Sequence, residues 1–369
     1  MSIVRVSDLL SLYKSRYRKE DVLAAKREGR WKCCSSADLV RFSDEISLGL
    51  LALDIRKGDK LGIMSPNRPE WNFVDFGAMQ IGAVTVPLYP TMSLRDLEYI
   101  LRDAEIKILF ISGPPLYEKI SVLREHIPGV EVFSFDAVEG VRSWEDVRNL
   151  GRGKDAASIE PVRLEVQPDD LLTLIYTSGT TGNPKGVMLT HRNIVSNVVA
   201  CEQLLPGTIR TALSFLPLCH IFERMVSYLY FYRGISIYYA ESIESIAENM
   251  REIRPDVFTT VPRLLEKVYD RIVARGSALS GLKRALFFWA LGLGLRYERE
   301  GAGGKWYAVR LKIANRLVFR KWRAALGGNI KLVVAGGAAL QPRLAKVFNA
   351  AGIPVLQGYG LTETSPVIA

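Results

Sequence analysis

The chain has 369 residues, 48% apolar, 24% charged and 9% aromatic, with a formal net charge of +10. That balance excludes a disordered, collagenous or disulfide-stapled chain, and at roughly 100–200 residues per domain the length allows two or three structural units. Cys33, Cys34, Cys201 and Cys219 form no C-x-x-C pair, so neither a disulfide framework nor a zinc site is expected, and the chain reads as reduced and cytoplasmic. The first twenty residues mix Arg5, Lys14, Arg16, Arg18 and Lys19 with short apolar pieces and show no secretory core. The longest apolar stretch, 285–295, falls well short of the roughly 18 residues that a bilayer span needs.

Leu39, Ile46, Leu50 and Leu53 share one helical face and predict a helix over 36–53. A buried strand follows at 60–65, and Pro69 opens a second helix at its first position. The next strand is 84–88. Ser93, with Asp96 three residues on, is a capping signal for a helix bearing Leu94, Leu97, Ile100 and Leu101. A strand at 108–111, a helix near 116–125 and a strand near 130–135 continue the series. The stretch 151–170 is polar and irregular and reads as the connection between a first unit, 1–170, and a second, 171–369. In the second, strands are predicted at 171–176, 211–215, 236–239, 257–260, 332–335 and 354–359. Helices are predicted at 222–232, 243–251, 262–275, 282–297, 306–325 and 342–351. Strands alternating with helices of this length specify an α/β chain of parallel sheets with helical cover.

The positive charge is concentrated. Between 283 and 323 there are eleven Lys and Arg against two Glu. The same segment carries Phe287, Phe288, Trp289, Trp306, Tyr307 and Trp322. It reads either as a face for anionic lipid or nucleic acid, or as a pair of solvated amphipathic helices.

The sharpest feature is Tyr176-Thr-Ser-Gly-Thr-Thr-Gly-Asn-Pro-Lys-Gly-Val187. Gly179, Gly182 and Gly186 permit close backbone approach to a ligand. Thr177, Ser178, Thr180 and Thr181 add hydroxyls, and Lys185 a fixed cation. Backbone N–H groups, hydroxyls and one ammonium suit a polyphosphate. The spacing is not that of a Walker A loop, because Gly186 replaces the Ser/Thr and 187–190 reads as a strand rather than a helix. A glycine-rich hairpin over phosphates is expected, against the plainer reading of a polar turn.

These residues resemble the signature loop of the AMP-forming adenylating enzymes, the superfamily of acyl-CoA synthetases, adenylation domains and luciferases. Three further stretches resemble family signatures in the same order: Leu216-Pro-Leu-Cys-His-Ile-Phe-Glu-Arg224, Ala335-Gly-Gly-Ala338 and Gln357-Gly-Tyr-Gly-Leu-Thr-Glu-Thr364. His220 to Arg224 and Val261-Pro-Arg-Leu-Leu-Glu-Lys267 are similar to long-chain fatty-acyl-CoA synthetases. The resemblance implies the large N-terminal domain of the adenylate-forming fold, with stacked, mostly parallel sheets covered by helices in an αβαβα order, incomplete at its C-terminal end. It places the signatures' continuation beyond Ala369: an aspartate for the ribose, a hinge, and a small lid domain with a lysine that assists adenylation. Weak or absent turnover and impaired nucleotide binding are therefore expected of these residues alone.

The implied activity is ATP-dependent conversion of a long-chain fatty acid to acyl-AMP and then, with coenzyme A, to acyl-CoA. The implied site has Thr177, Ser178, Gly179, Thr180, Thr181, Gly182 and Lys185 on the β- and γ-phosphates. Gly336, Gly337 and Ala338 line the adenine, Tyr359 stacks on it, and Gln357, Gly358, Gly360 and Leu361 shape its pocket. Thr362 reaches the α-phosphate, and Glu363 with Thr177 holds Mg²⁺. His220 is either a packed core histidine or, as the resemblance implies, the group that positions the substrate carboxylate. A carboxylate nucleophile is already ionised at neutral pH, so no base is needed. Arg224 reads as half of a structural ion pair, His191 as a cap or packing residue, and His126 as surface. Phe222, Met225, Tyr228, Tyr230, Phe231 and Tyr232 are either core or the lining of an acyl tunnel. A membrane-partitioning substrate would give 283–323 a purpose at an anionic membrane surface, and no nucleic-acid partner is expected. Two other classes stay open, a fatty-acyl-AMP ligase that loads a carrier protein and a non-catalytic acyl or nucleotide-binding module. Oligomeric state has no signature in the sequence.

Overall fold

Strand and helix alternate along the computed structural model, which describes residues 3–178, 182–298 and 304–369. Its strands are β1 Leu23–Arg27, β2 Arg30–Cys34, β3 Lys60–Met64, β4 Val84–Leu88, β5 Ile106–Ile111, β6 Glu131–Ser134, β7 Arg142–Ser143, β8 Leu171–Thr177, β9 Lys185–Thr190, β10 Thr211–Ser214, β11 Ser236–Tyr239, β12 Val257–Thr260, β13 Leu332–Ala335 and β14 Val355–Gln357. They belong to two mostly parallel sheets flanked by helices. The chain divides into two compact units. The first comprises Met1–Gln203, Pro217–Tyr239 and Thr362–Pro366, and the second Leu204–Leu216, Ala240–Leu361 and Val367–Ala369.

In the first unit one sheet runs β7-β6-β5-β3-β4-β8-β9, parallel up to β8 and antiparallel between β8 and β9. Every residue of β4 is buried, which is why it reads as a continuous apolar run rather than an alternation. Met64, Val86, Leu88, Leu109 and Ile111 pack against Leu97, Ile100 and Leu101 of the Leu94–Asp103 helix. Ser93 accepts the Asp96 N–H at 3.1 Å, as the capping signal predicts. Pro69 begins the Pro69–Gln80 helix. Ser35 and Asp38 cap the Ser36–Ala52 helix reciprocally.

Two expectations need correction here. The helix expected near 116–125 spans Gly113–Ser121, because the prolines of Gly113-Pro-Pro occupy the first turn, where no N–H partner is needed. The connection 151–170 is not wholly irregular. Asp155 caps a 3₁₀ turn, Ala156–Ile159, that runs into a short helix, Glu160–Glu165. The unit also holds a hairpin absent from the sequence reading, in which β1 pairs antiparallel with β2 and parallel with β11.

In the second unit β10, β12, β13 and β14 pair in parallel, with Val257 opposite Leu332 and Ala335 opposite Gln357. The helix expected at 306–325 is Gly304–Ala314 and Arg320–Ala325 joined by a π turn, Asn315–Phe319. The Asn315 amide donates to Leu311 O at 3.1 Å and Ala350 O at 2.9 Å and accepts from Arg323 at 2.7 Å. A side chain engaged this way widens the helical ladder. No helix among the described residues is long and apolar enough to cross a membrane.

Candidate active site

The glycine-rich sequence is the tip of the β8–β9 hairpin. β8 joins the sheet through Thr85 opposite Thr173, and its last residue, Thr177, faces Lys185 across the hairpin. The tip therefore leaves the sheet at the carboxyl end of a parallel strand, where open α/β sheets present ligand sites. Ser178 and Lys185 are exposed, and Lys185 has no carboxylate partner among the described residues. Gly182 has φ +96°, a conformation that favours glycine. Gly179, Thr180 and Thr181 lie outside the described residues.

Two features at the base of the hairpin were not legible beforehand. Tyr176 donates its hydroxyl to Asp103 at 2.5 Å. Burial and that carboxylate both raise the phenol pKa, so it stays a donor. A Cβ on the opposing residue, Gly186, would lie 3.1 Å from the Tyr176 ring, so glycine lets the two strands close over it. At the far end of β9, Thr190 caps the His191–Glu202 helix with Asn193. His191 packs in the interior, its Nδ1 accepting the Val6 N–H at 3.2 Å.

His220 is the N-cap of the Ile221–Arg233 helix. Its Nδ1 accepts the Phe222 N–H at 3.2 Å, so the proton of the neutral ring sits on Nε2. The residue is exposed, yet partial burial of the ring lowers its pKa below the ordinary value. At neutral pH the ring is therefore uncharged, with Nδ1 already engaged as an acceptor. The preceding loop is tied down by Leu218 N–H on Asn67 Oδ1 at 2.9 Å. Burial pushes the neighbouring Cys219 thiol up to about 12, which leaves no thiolate nucleophile there.

One turn after His220, Arg224 is fully buried at the centre of a polar network. Its guanidinium donates to Asp75 Oδ1 at 2.5 Å, Thr85 at 2.6 Å, Thr173 at 2.7 Å and the Tyr228 hydroxyl at 2.7 Å. Burial pushes the Asp75 carboxyl upward, opposed by Arg224, Tyr228 and Thr85. Arg224 is thus the structural ion pair expected, and it fixes the helix that carries His220 to β4 and to β8, the strand that ends in the hairpin tip. Met225, Tyr228, Tyr230 and Phe231 are buried too, and Phe231 packs edge-on to Phe76 at 5.0 Å. Burial and the ring contact are what the core reading of these side chains expects.

Thr362 and Glu363 also belong to the first unit. They lie on a 3₁₀ turn, Thr362–Thr364, packed against β9. Glu363 is exposed and has no ion-pair partner among the described residues. In the second unit, Gly336–Ala338 follow β13, while Gln357 ends β14 and Gly358–Leu361 follow it, at neighbouring carboxyl ends. Gly336 N–H donates to Thr260 O at 3.0 Å, and Gly358 N–H to Ala335 O at 2.8 Å. Gly337 turns the first segment with φ +80°. Tyr359 is 60% exposed, with its backbone held by Ala369 at 2.7 Å and Ile368 at 2.8 Å. Its ring is open for stacking while its main chain is fixed, and Gly360 bridges to Val367.

Residues 13–369 match the AMP-binding enzyme family. The chain belongs to that family. It is 34% identical over 351 residues to the long-chain-fatty-acid–CoA ligase FadD15 of Mycobacterium bovis, covering 93% of this chain and 58% of the relative. It is 34% identical over 362 residues to fatty acyl-CoA synthetase A of Dictyostelium discoideum, covering 93% and 52%. Human long-chain-fatty-acid–CoA ligase 1 is 34% identical over 340 residues, covering 84% and 47%. The chain thus spans about half the length of these curated relatives. Among solved structures, a long-chain-fatty-acid–CoA ligase from Archaeoglobus fulgidus superposes with a TM-score of 0.72 at 21% identity, over 100% of this chain and 67% of that one. The N-terminal domain of FACL13 from Mycobacterium tuberculosis gives 0.67 at 20% identity, over 98% and 77%. These likenesses establish the fold as the N-terminal domain of adenylate-forming enzymes.

Among the described residues no group of three or more His, Cys, Asp or Glu could hold a metal ion. A site for Mg²⁺ would therefore rest on few protein oxygens completed by water and phosphate, the manner in which that ion is usually held.

Proposed function

We propose that these residues form the nucleotide- and acid-binding part of a long-chain fatty-acid–CoA ligase. A fatty-acid carboxylate oxygen forms a bond to the α-phosphorus of ATP while the bond to diphosphate breaks. The sulfur of coenzyme A then bonds to the acyl carbon and AMP leaves. Ser178, Lys185 and the hairpin N–H groups offer donors to the departing diphosphate, and Mg²⁺, held by Thr177 and Glu363, would neutralise phosphate charge there. The neutral His220 Nε2–H orients the carboxylate without taking a proton from it. Gly336–Ala338, Gln357–Leu361 and the open Tyr359 ring receive the adenine, and Thr362 the α-phosphate.

The observation that carries this reading is Lys185, without a carboxylate partner among the described residues, on a glycine-rich hairpin at the carboxyl end of β8, in a chain whose relatives are long-chain-fatty-acid–CoA ligases. The test is diphosphate release by the longest natural form, with ATP, Mg²⁺ and carboxylates of graded chain length. Release that grows toward long chains supports the reading. Release with no carboxylate of any length overturns it.

A further inference from the structure

The Gly304–Ala314 helix carries apolar residues on both of its sides. Ala314 is buried, and the Tyr307 hydroxyl donates to Leu293 O at 2.9 Å, so that side faces the protein. On the outer side Trp306 is 83% exposed, Val309 50%, Ile313 45% and, past the start of the π turn, Leu317 45%. Steps of three, four and four residues place all of these on one face. Folded monomers seldom leave a continuous apolar stripe in water without a partner.

The flanks of the stripe are basic. Lys305, Arg310, Lys312, Arg316, Arg320 and Lys321 are all exposed, and none has an ion-pair partner among the described residues. Beside Leu317 a cleft of about 320 Å³ is lined by Phe287, Val318 and Trp322, with Arg275, Lys283 and Lys321 as its charged members and no carboxylate.

We propose that this face docks on the surface of a bilayer carrying anionic lipids. The Trp306–Leu317 stripe lies at the boundary of the acyl region, and the flanking cations meet headgroup phosphates. Charge and shape together favour this occupant. A nucleic acid would use the cations but leave three aliphatic side chains against its phosphates. A second copy of the chain would bring basic flank against basic flank across a two-fold axis. The proposal extends beyond the ligase reading, and its test uses no turnover, so either can fail without the other.

The experiment is flotation of the longest natural form with phosphatidylcholine vesicles, with and without about a third phosphatidylglycerol. Binding is expected only with the anionic lipid and is expected to fall as salt is raised from 0.1 to 0.5 M, concentrations that shorten screening from about 10 Å to a few Å. Lys305→Gln with Lys312→Gln should weaken partitioning about thirtyfold, and Trp306→Ala about tenfold or more. All three positions are exposed, so circular dichroism and melting should match the parent. Equal binding to uncharged vesicles, unchanged binding by both variants, or tighter binding to an oligonucleotide than to vesicles would overturn the proposal. So would a dimer in light scattering that Trp306→Ala dissolves.

Discussion

Arg224→Met isolates the buried network beneath His220. In the folded chain Arg224 and Asp75 are each 1% exposed at the side chain, and the pair closes at 2.5 Å. Removing the guanidinium leaves a carboxylate with no compensating cation in the interior, and such a loss costs about 3–5 kcal/mol. In a unit of this size that corresponds to a fall in Tm of about 6–20 °C. Asp75→Asn paired with Arg224→Met removes both charges and should recover at least half of the loss, because the dominant cost is the orphaned charge rather than the missing contact. Thermal unfolding and urea titration of the parent, both single variants and the double variant measure this directly. The reasoning fails if Arg224→Met costs less than about 1 kcal/mol, or if the double variant loses as much as the two singles summed. It also fails if ATP binding collapses in Arg224→Met while Tm is unchanged, since that outcome would make Arg224 a ligand-contacting group.

Two other outcomes follow from packing and titration. His191 titrates near pH 4 when folded instead of at its ordinary 6.5, first because burial disfavours the cation and then because Arg5 repels it. The unfolded chain therefore takes up the proton first as pH falls, so stability is complete above about pH 6.5 and declines toward pH 4. The shift is worth about 2 kcal/mol at pH 5, and the difference between parent and His191→Gln in urea midpoints at pH 7.5 and 5.0 should show it. A parallel pH response in the two proteins would contradict that cause. Gly77→Ala places a Cβ 2.4 Å from Ile46 Cγ2, an overlap between the Ser36–Ala52 and Pro69–Gln80 helices. A cost of about 1–3 kcal/mol is expected in the urea midpoint, because the Ile46 Cβ at 2.8 Å and Ser43 O at 3.1 Å leave the new methyl no way out on that side. A loss below about 0.5 kcal/mol would exclude the clash.

The parts of the fold that were legible carry their signal locally. Pro69 at a helix start, Ser93 over Asp96, and the buried runs of β3, β4 and β8 each declare themselves within a few residues. The β1–β2 hairpin did not. Its turn uses Glu28 and Gly29, both at positive φ, instead of Asn-Gly, and Arg30-Trp-Lys-Cys-Cys34 lacks an alternating apolar face. The His191–Glu202 helix was missed because its cap pairs Thr190 with Asn193 rather than with Glu or Gln. Within the site, the residues that could touch a ligand sit in glycine-rich signatures and were readable. Their supports were not, because Asp75 and Arg224 are 149 residues apart in sequence, and Tyr176 and Asp103 are 73 apart. Nothing in either neighbourhood marks the partner. Tyr228 and Phe231 show a different limit, since aromatic residues at helical spacing suit a tunnel and a core equally.

The central claim is that the β8–β9 hairpin receives the polyphosphate of ATP while a long-chain acid is activated. Its most direct test is fatty-acid-dependent exchange of labelled diphosphate into ATP by the longest natural form, comparing the parent with Lys185→Met. Exchange should require a long-chain acid, and the variant should lose about a hundredfold or more with its melting curve unchanged. Acid-dependent exchange at the parent's rate in Lys185→Met, or exchange indifferent to the acid, would place the phosphates elsewhere.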